Sequence, residues 1–218
     1  MYYIRRCLYL IGLYWCSVCS AGSYEDFFTA VVRDDADTIV AVLQRGFDVN
    51  TLNPTGEHAL LLAIRQRSRK VTATLLEQPE VEVEVRNGHD ESPLMLASLQ
   101  GDVALCRLLL AKGADVNKPG WTALHYAATN GHLEVLTLLL DSHAYIDAAS
   151  PNGTTPLMMA AHYGSAAATR LLLEAGADPS LKNELGLSAV EFARRAERPE
   201  MVDLLNGALR ERQPKGTW

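Results

Sequence analysis

Among the 218 residues of the chain, the side chains best placed to do chemistry are a few histidines, one cysteine in a leucine run and some paired carboxylates. His125 draws attention first, because it lies between Trp121 and Tyr126 in the stretch NKPGWTALHYAATNGHLEVLTLLL, residues 117–140. An imidazole in that setting could act as a general base or, with His132, as a metal ligand. The spacing favours neither: the two histidines stand seven residues apart across a helix end, and no Cys, His and carboxylate set has the spacing of a tetrahedral site. The sequence has no phosphate-cradling glycine loop, no G-x-S-x-G elbow and no H-E-x-x-H. Asp34 and Asp35 fall at a predicted turn and read as a solvated face. An enzyme using His162 and Tyr163 is a remote alternative. We therefore expect no catalytic residue, no metal site and no cofactor.

The elements around His125 explain it better. TALHYA (122–127) is one of a series with HALLLA (58–63), SPLMLA (92–97), TPLMMA (155–160) and SAVEFA (188–193), at spacings of 34, 30, 33 and 33 residues. A weaker first copy begins near Glu25. Such a period implies stacked repeats rather than a single globular core. Where a copy opens on Ser or Thr, that residue starts a helix by capping free N–H groups, and Pro is tolerated in its first turn. Gly101, Gly131 and Gly164 follow where a left-handed residue would reverse the chain. A leucine-rich second helix then runs to Gly113 or Gly176, and a polar connector such as SPNGT (150–154) leads into the next copy. The Ala pairs 127–128 and 160–161 allow close helix approach, and no single helix pair could bury its leucines alone.

These residues resemble ankyrin repeats over about Tyr24 to Leu205, most specifically at 88–183 and more weakly in the second copy, where Arg67 and Ser68 replace Gly-His. NKPGWTALHYAA followed by SPNGTTPLMMAA is similar to exported ankyrin-repeat proteins of Gram-negative bacteria. The resemblance implies an all-α solenoid of stacked helix-turn-helix units with β-turn fingers. Six units are expected near 24–54, 55–87, 88–119, 120–152, 153–183 and 184–207, forming one domain over 22–207 whose end units act as caps. Residues 208–218 form a polar tail. It also implies that His125 ties its turn to the neighbouring unit, with His132 equally structural.

Three departures carry expectations of their own. The connector ADVNKPGWT is three residues shorter than ADPSLKNELGLS, so the finger before Trp121 should be stunted. Alternating Val81, Val83 and Val85 predict an extended finger in the second unit. Arg194, Arg195, Glu197 and Glu200 replace apolar positions in the last unit, as a solvent-facing cap requires.

The first 21 residues are of another kind. Basic MYYIRR precedes twelve uncharged residues, CLYLIGLYWCSV, and then small CSA, the layout of a signal peptide (1–21) cleaved after Ala21. The alternative is an uncleaved anchor, for which the 17 uncharged residues from Cys7 to Ser23 are short. Cleavage removes Cys7, Cys16 and Cys19 and leaves Cys106, read as a small buried apolar residue. It also removes Arg5 and Arg6, so 18 basic residues face 26 acidic ones and the net charge falls from −6 to −8. That excess argues against nucleic acid as a partner.

What remains is binding. In the family, partners contact the turn tips and the two variable residues before the reversing position. Carried over by position, these are Arg65, Gln66, Leu99, Gln100, Thr129, Asn130, His162 and Tyr163, with Glu57, His89, Glu91, Trp121, Asn152 and Thr154 from the fingers. Trp121 and Tyr163 are the preferred anchors. We expect a monomeric, exported, non-enzymatic protein, periplasmic or secreted, that binds a protein partner of unknown identity to protect, inhibit or position it. It makes no membrane contact after cleavage; the alternative is a scaffold tethered in the periplasm by an uncleaved leader.

Overall fold

The repeated polar-cap, apolar-helix pattern produces what the spacing predicts. A computed structural model describes residues 22–212, and the leader (1–21) and the end of the polar tail lie outside the described residues. The described residues form twelve helices: α1 over 22–33, α2 (Ala36–Leu43), α3 (Ala59–Gln66), α4 (Arg69–Glu77), α5 (Pro93–Gln100), α6 (Val103–Ala111), α7 (Ala123–Asn130), α8 (Leu133–Asp141), α9 (Pro156–His162), α10 (Ala166–Glu174), α11 (Ala189–Arg195) and α12 (Pro199–Arg212). They divide into two compact units, one ending at Asp90 and one beginning at Glu91. α12 runs beyond the expected boundary at 207, so the start of the tail is helical.

The first unit holds α1 to α4. Phe27 packs on Phe47 with ring centroids 4.6 Å apart, and the Tyr24 hydroxyl donates to the Leu52 carbonyl at 2.8 Å. The turn after α1 is fastened to α4 through the Val71 N–H, which donates to Asp34 Oδ1 at 2.9 Å. Val81 and Val83 do not form the expected extended finger. The chain turns at 83–84, taking in Val83, and Val85 is buried, because the stretch has the length of an ordinary connector.

The second unit layers first helices α5, α7, α9 and α11 in chain order, with second helices α6, α8, α10 and α12 behind them. One leucine register, Leu94, Leu124 and Leu157, is fully buried, as is the second-helix register Leu109, Leu139, Leu172 and Leu205. Each such side chain contributes about 2 kcal/mol by leaving water. Ala97, Ala127, Ala160 and Ala193 have no exposed surface and bring the first helices together. Cys106 shares its register with Leu136 and Thr169; it is fully buried, and burial pushes its thiol up to about 11. That thiol is a packing group and a poor nucleophile.

Helix starts follow the sequence closely. Ser92, Thr155 and Ser165 accept from the N–H three residues on. In return, the side chain at that third position serves the cap: Met95 and Met158 sulfurs accept from the N–H of Ser92 and Thr155 at 3.4 Å, and Glu191 accepts from Ser188. Helix ends follow it less fully. Gly101 and Gly131 are left-handed, at φ +71° and +68°. Gly164 is not; its role is proximity, since a Cβ there would lie 2.3 Å from the Ala128 carbonyl oxygen. The position aligned with Gly101 and Gly131 is occupied in left-handed geometry by Arg67 (φ +59°) and Glu197 (φ +54°).

Candidate functional site

His125 is the third residue of α7, the same place as Met95, Met158 and Glu191. Its Nδ1 accepts from the Thr122 N–H at 3.2 Å and the Thr122 hydroxyl at 2.9 Å. Its Nε2 lies 2.9 Å from the Thr154 carbonyl oxygen, which can only accept, so Nε2 carries the proton. The ring has no exposed surface, and burial pulls its pKa down to about 4 despite the opposing bond to the Thr154 carbonyl. A neutral imidazole with both nitrogens committed ties α7 to the next finger and is not free to move a substrate proton. Trp121 covers it edge-on, with centroids 5.1 Å apart and planes at 73°. His132 has the matching role one turn later: its Nε2 donates to the Leu99 carbonyl at 3.0 Å.

The finger before Trp121 is compact. Lys118 is buried there with Nζ donating to the Pro119 carbonyl at 3.0 Å, and Gly120, at φ +84°, faces the Pro151 ring of the following finger. Trp121 is half-buried against the His125 ring.

The residues expected to meet a partner separate into three groups. Two are corrections: Thr154 is 2% exposed and spends its backbone on His125 and Ser150, and Glu57 is 6% exposed and ion-paired with Arg65, so neither side chain is presented. A second group is accessible but engaged. Thr129 donates to the His125 carbonyl, Asn130 Nδ2 donates to the Leu99 carbonyl at 2.7 Å, and Glu91 accepts from the Tyr126 hydroxyl at 2.9 Å. Asn152 Oδ1 accepts from the Ser150 hydroxyl and the Thr154 N–H, which makes the stretch a turn. The third group is presented outward: Tyr163, 60% exposed, and half-buried His162, Leu99 and Gln100 in the second unit. In the first unit, Arg65, Gln66 and His89 are exposed.

Within the second unit these positions form a row. The bond from Asn130 to Leu99 sets the end of α7 beside the end of α5. His162 Nδ1 donates to the Phe192 carbonyl at 3.0 Å, setting the end of α9 against α11. His162 and Tyr163 pack edge to face with centroids 4.1 Å apart, so the phenol is held on a rigid base rather than waving free. Sequence reasoning missed Leu185, a finger-tip side chain 74% exposed, and Tyr126, which fastens Glu91. The repeat register could have found both, since Leu185 aligns with Asn152 and Tyr126 follows the buried His125.

Among the described residues no group of three or more His, Cys, Asp or Glu is arranged to hold a metal ion. No helix of the described residues is long and apolar enough to cross a membrane. An open groove of about 500 Å³ between α10 and α12 is lined by Arg170, Glu174, Asp203, Glu211 and Arg212, charges of both signs.

The comparisons agree with this geometry. A family model for ankyrin repeats, three copies, matches residues 27–119, 79–150 and 94–183. The ankyrin repeat protein YahD of Escherichia coli (strain K12) is 28% identical, covering 84% of this chain and 95% of its own. The nuclear factor NF-kappa-B p105 subunit of Gallus gallus is 32% identical over 74% of this chain. The chain spans only 17% and 15% of the chicken and mouse p105 subunits that it matches. In structure, an ankyrin repeat domain from Acinetobacter baumannii AYE aligns with a TM-score of 0.72 at 28% identity, covering 84% of this chain and 96% of that one.

Proposed function

The chain belongs to the ankyrin-repeat family, a family of protein-interaction modules, and on that premise we propose that it is an exported, non-enzymatic protein that binds a partner protein. The contact runs along the row of second-unit positions from Leu99 to Tyr163, taken as the inner row, with Tyr163 and Trp121 as its aromatic anchors. The observation that carries the reading is Tyr163: a large aromatic, 60% exposed, braced by His162 at a position whose side chain the helix core does not use. Such rigid aromatics dominate interface energetics because they bury much area at little entropic cost. Export is supported by the basic, apolar and small segments of residues 1–21. In that reading the setting is the periplasm, where the bound partner is protected, inhibited or positioned.

The test is retention of envelope proteins by the chain beginning at Gly22, beside a Trp121→Ala/Tyr163→Ala variant whose helical content and unfolding midpoint are measured first. A protein retained by the wild type and lost by the folded variant supports the row as the site. Equal retention moves the site elsewhere. An N-terminus still beginning at Met1 in cell envelopes replaces export by cleavage with tethering.

A further inference from the structure

The sequence RQRSRK, residues 65–70, is where the second repeat departs most from its neighbours, and the structure shows that the departure opposes the fold. Arg67 holds φ at +59°, a left-handed geometry that glycine adopts freely at Gly101 and Gly131 and that a Cβ disfavours. Arg69 and Lys70 form the first turn of α4, whose partial positive charge repels cations, while Glu77 ends the same helix, where a carboxylate is equally misplaced. Of the seven basic residues in 22–90, four lie in these six positions, against twelve acidic residues in the same span and none between 65 and 70. Arg67, Arg69 and Lys70 are exposed and make no ion pair among the described residues, and only Arg65 is paired, to Glu57. Asp34 accepts from the Val71 N–H in the first turn of α4 but forms no ion pair with Arg67, Arg69 or Lys70 among the described residues.

Two features that each weaken folding, a left-handed Arg67 and cations in the first turn of α4, coincide within residues 65–70, so stability does not explain them. Departures of this kind gather at functional surfaces. We propose that Arg67, Arg69 and Lys70, with Arg65 beside them, dock an acidic segment of a partner protein. Three of the four are arginines, whose planar fork suits carboxylates. The segment must be narrow. α4 is about 12 Å long from first to last residue, and beyond it come Glu77, Glu80, Glu82 and Glu84 on a chain of net charge −6. A broad anionic surface such as a bilayer or a nucleic-acid duplex would meet those carboxylates; a short acidic peptide need not.

The experiment is fluorescence anisotropy of a labelled ten-residue oligoglutamate peptide with the purified full chain at low and high salt. It is run beside Arg67→Gly/Arg69→Gln/Lys70→Gln, with oligoglutamine and phosphatidylglycerol vesicles as comparison probes. The expected result is salt-sensitive binding of oligoglutamate by the wild type, weakened about tenfold or more in the variant, whose unfolding midpoint equals or exceeds that of the wild type. The Tyr163→Ala variant binds the peptide normally, which separates this edge from the inner row. Equal binding by wild type and triple variant overturns the proposal. So does a variant less stable than the wild type, which would give the cations to the fold, or vesicle binding tighter than peptide binding, which would give the edge to a membrane.

Discussion

Lowering the pH from about 7 to about 5 is expected to remove about 2 kcal/mol of stability at His125 alone. The reasoning starts from the committed nitrogens: one accepts from Thr122, the other donates to the Thr154 carbonyl, and the ring is fully buried. Burial pulls the native pKa down to about 4 from the ordinary 6.5. In the unfolded chain the imidazole takes a proton as pH falls through 6.5, while in the native chain it resists until about 4. The stabilisation is therefore complete above the unfolded value and is lost as pH falls towards the folded one. At about 1.4 kcal/mol per pKa unit, the whole window amounts to about 3 kcal/mol. Urea unfolding of the wild type and His125→Gln across the window isolates this contribution from the carboxylates common to both. The variant is less stable near neutral pH, and the gap narrows by about 2 kcal/mol by about pH 5. A gap that does not change with pH, or a native His125 that titrates at 6.5 or above by NMR, would refute the reasoning.

Three further substitutions probe the packing and the connectors. Gly164→Ala sets a methyl 2.3 Å from the Ala128 carbonyl oxygen and is expected to cost about 2 kcal/mol or more in denaturant unfolding; a neutral result would show that α7 and α9 can part easily. His58 opens α3 without a side-chain cap bond where α5, α7, α9 and α11 begin at Ser or Thr, so His58→Thr should raise stability by about 1 kcal/mol, read as a shift in the urea midpoint. Asp147 accepts from the Asp178 N–H, and burial raises its carboxyl above the ordinary range. Asn50 and Asn117 at the same register also donate, to the Glu80 and His143 carbonyls. Asp147→Asn should therefore stabilise by about 0.5–1 kcal/mol near neutral pH, with the advantage shrinking in acid as the aspartate protonates.

The repeat was legible because its signals are local. A hydroxyl capping an N–H, a leucine stripe and a proline in the first turn can each be judged from a few consecutive residues, and the helices begin where those residues stand. His125 was legible for the same reason, since its role follows from its place in the helix start. Gly164 was misread because glycine serves two purposes, positive φ and close approach, and only the position of Ala128 decides between them. The valines at 81, 83 and 85 alternate like a strand, yet the connector turns at 83–84 and buries Val85. Glu57 and Thr154 looked like free finger residues. Whether such a side chain is covered depends on the geometry of its turn and on the unit that follows, which spacing alone does not specify. Tyr163 passed the same test because the end of α9 directs it away from the core.

The most direct test of the inner row is the affinity of the retained partner for the wild type and for Tyr163→Ala, measured by isothermal titration with both proteins shown to unfold at the same midpoint. The account predicts a loss of about tenfold to a hundredfold, the effect of removing an aromatic anchor. Unchanged affinity in a folded variant would contradict it and place the contact away from the row that runs from Leu99 to Tyr163.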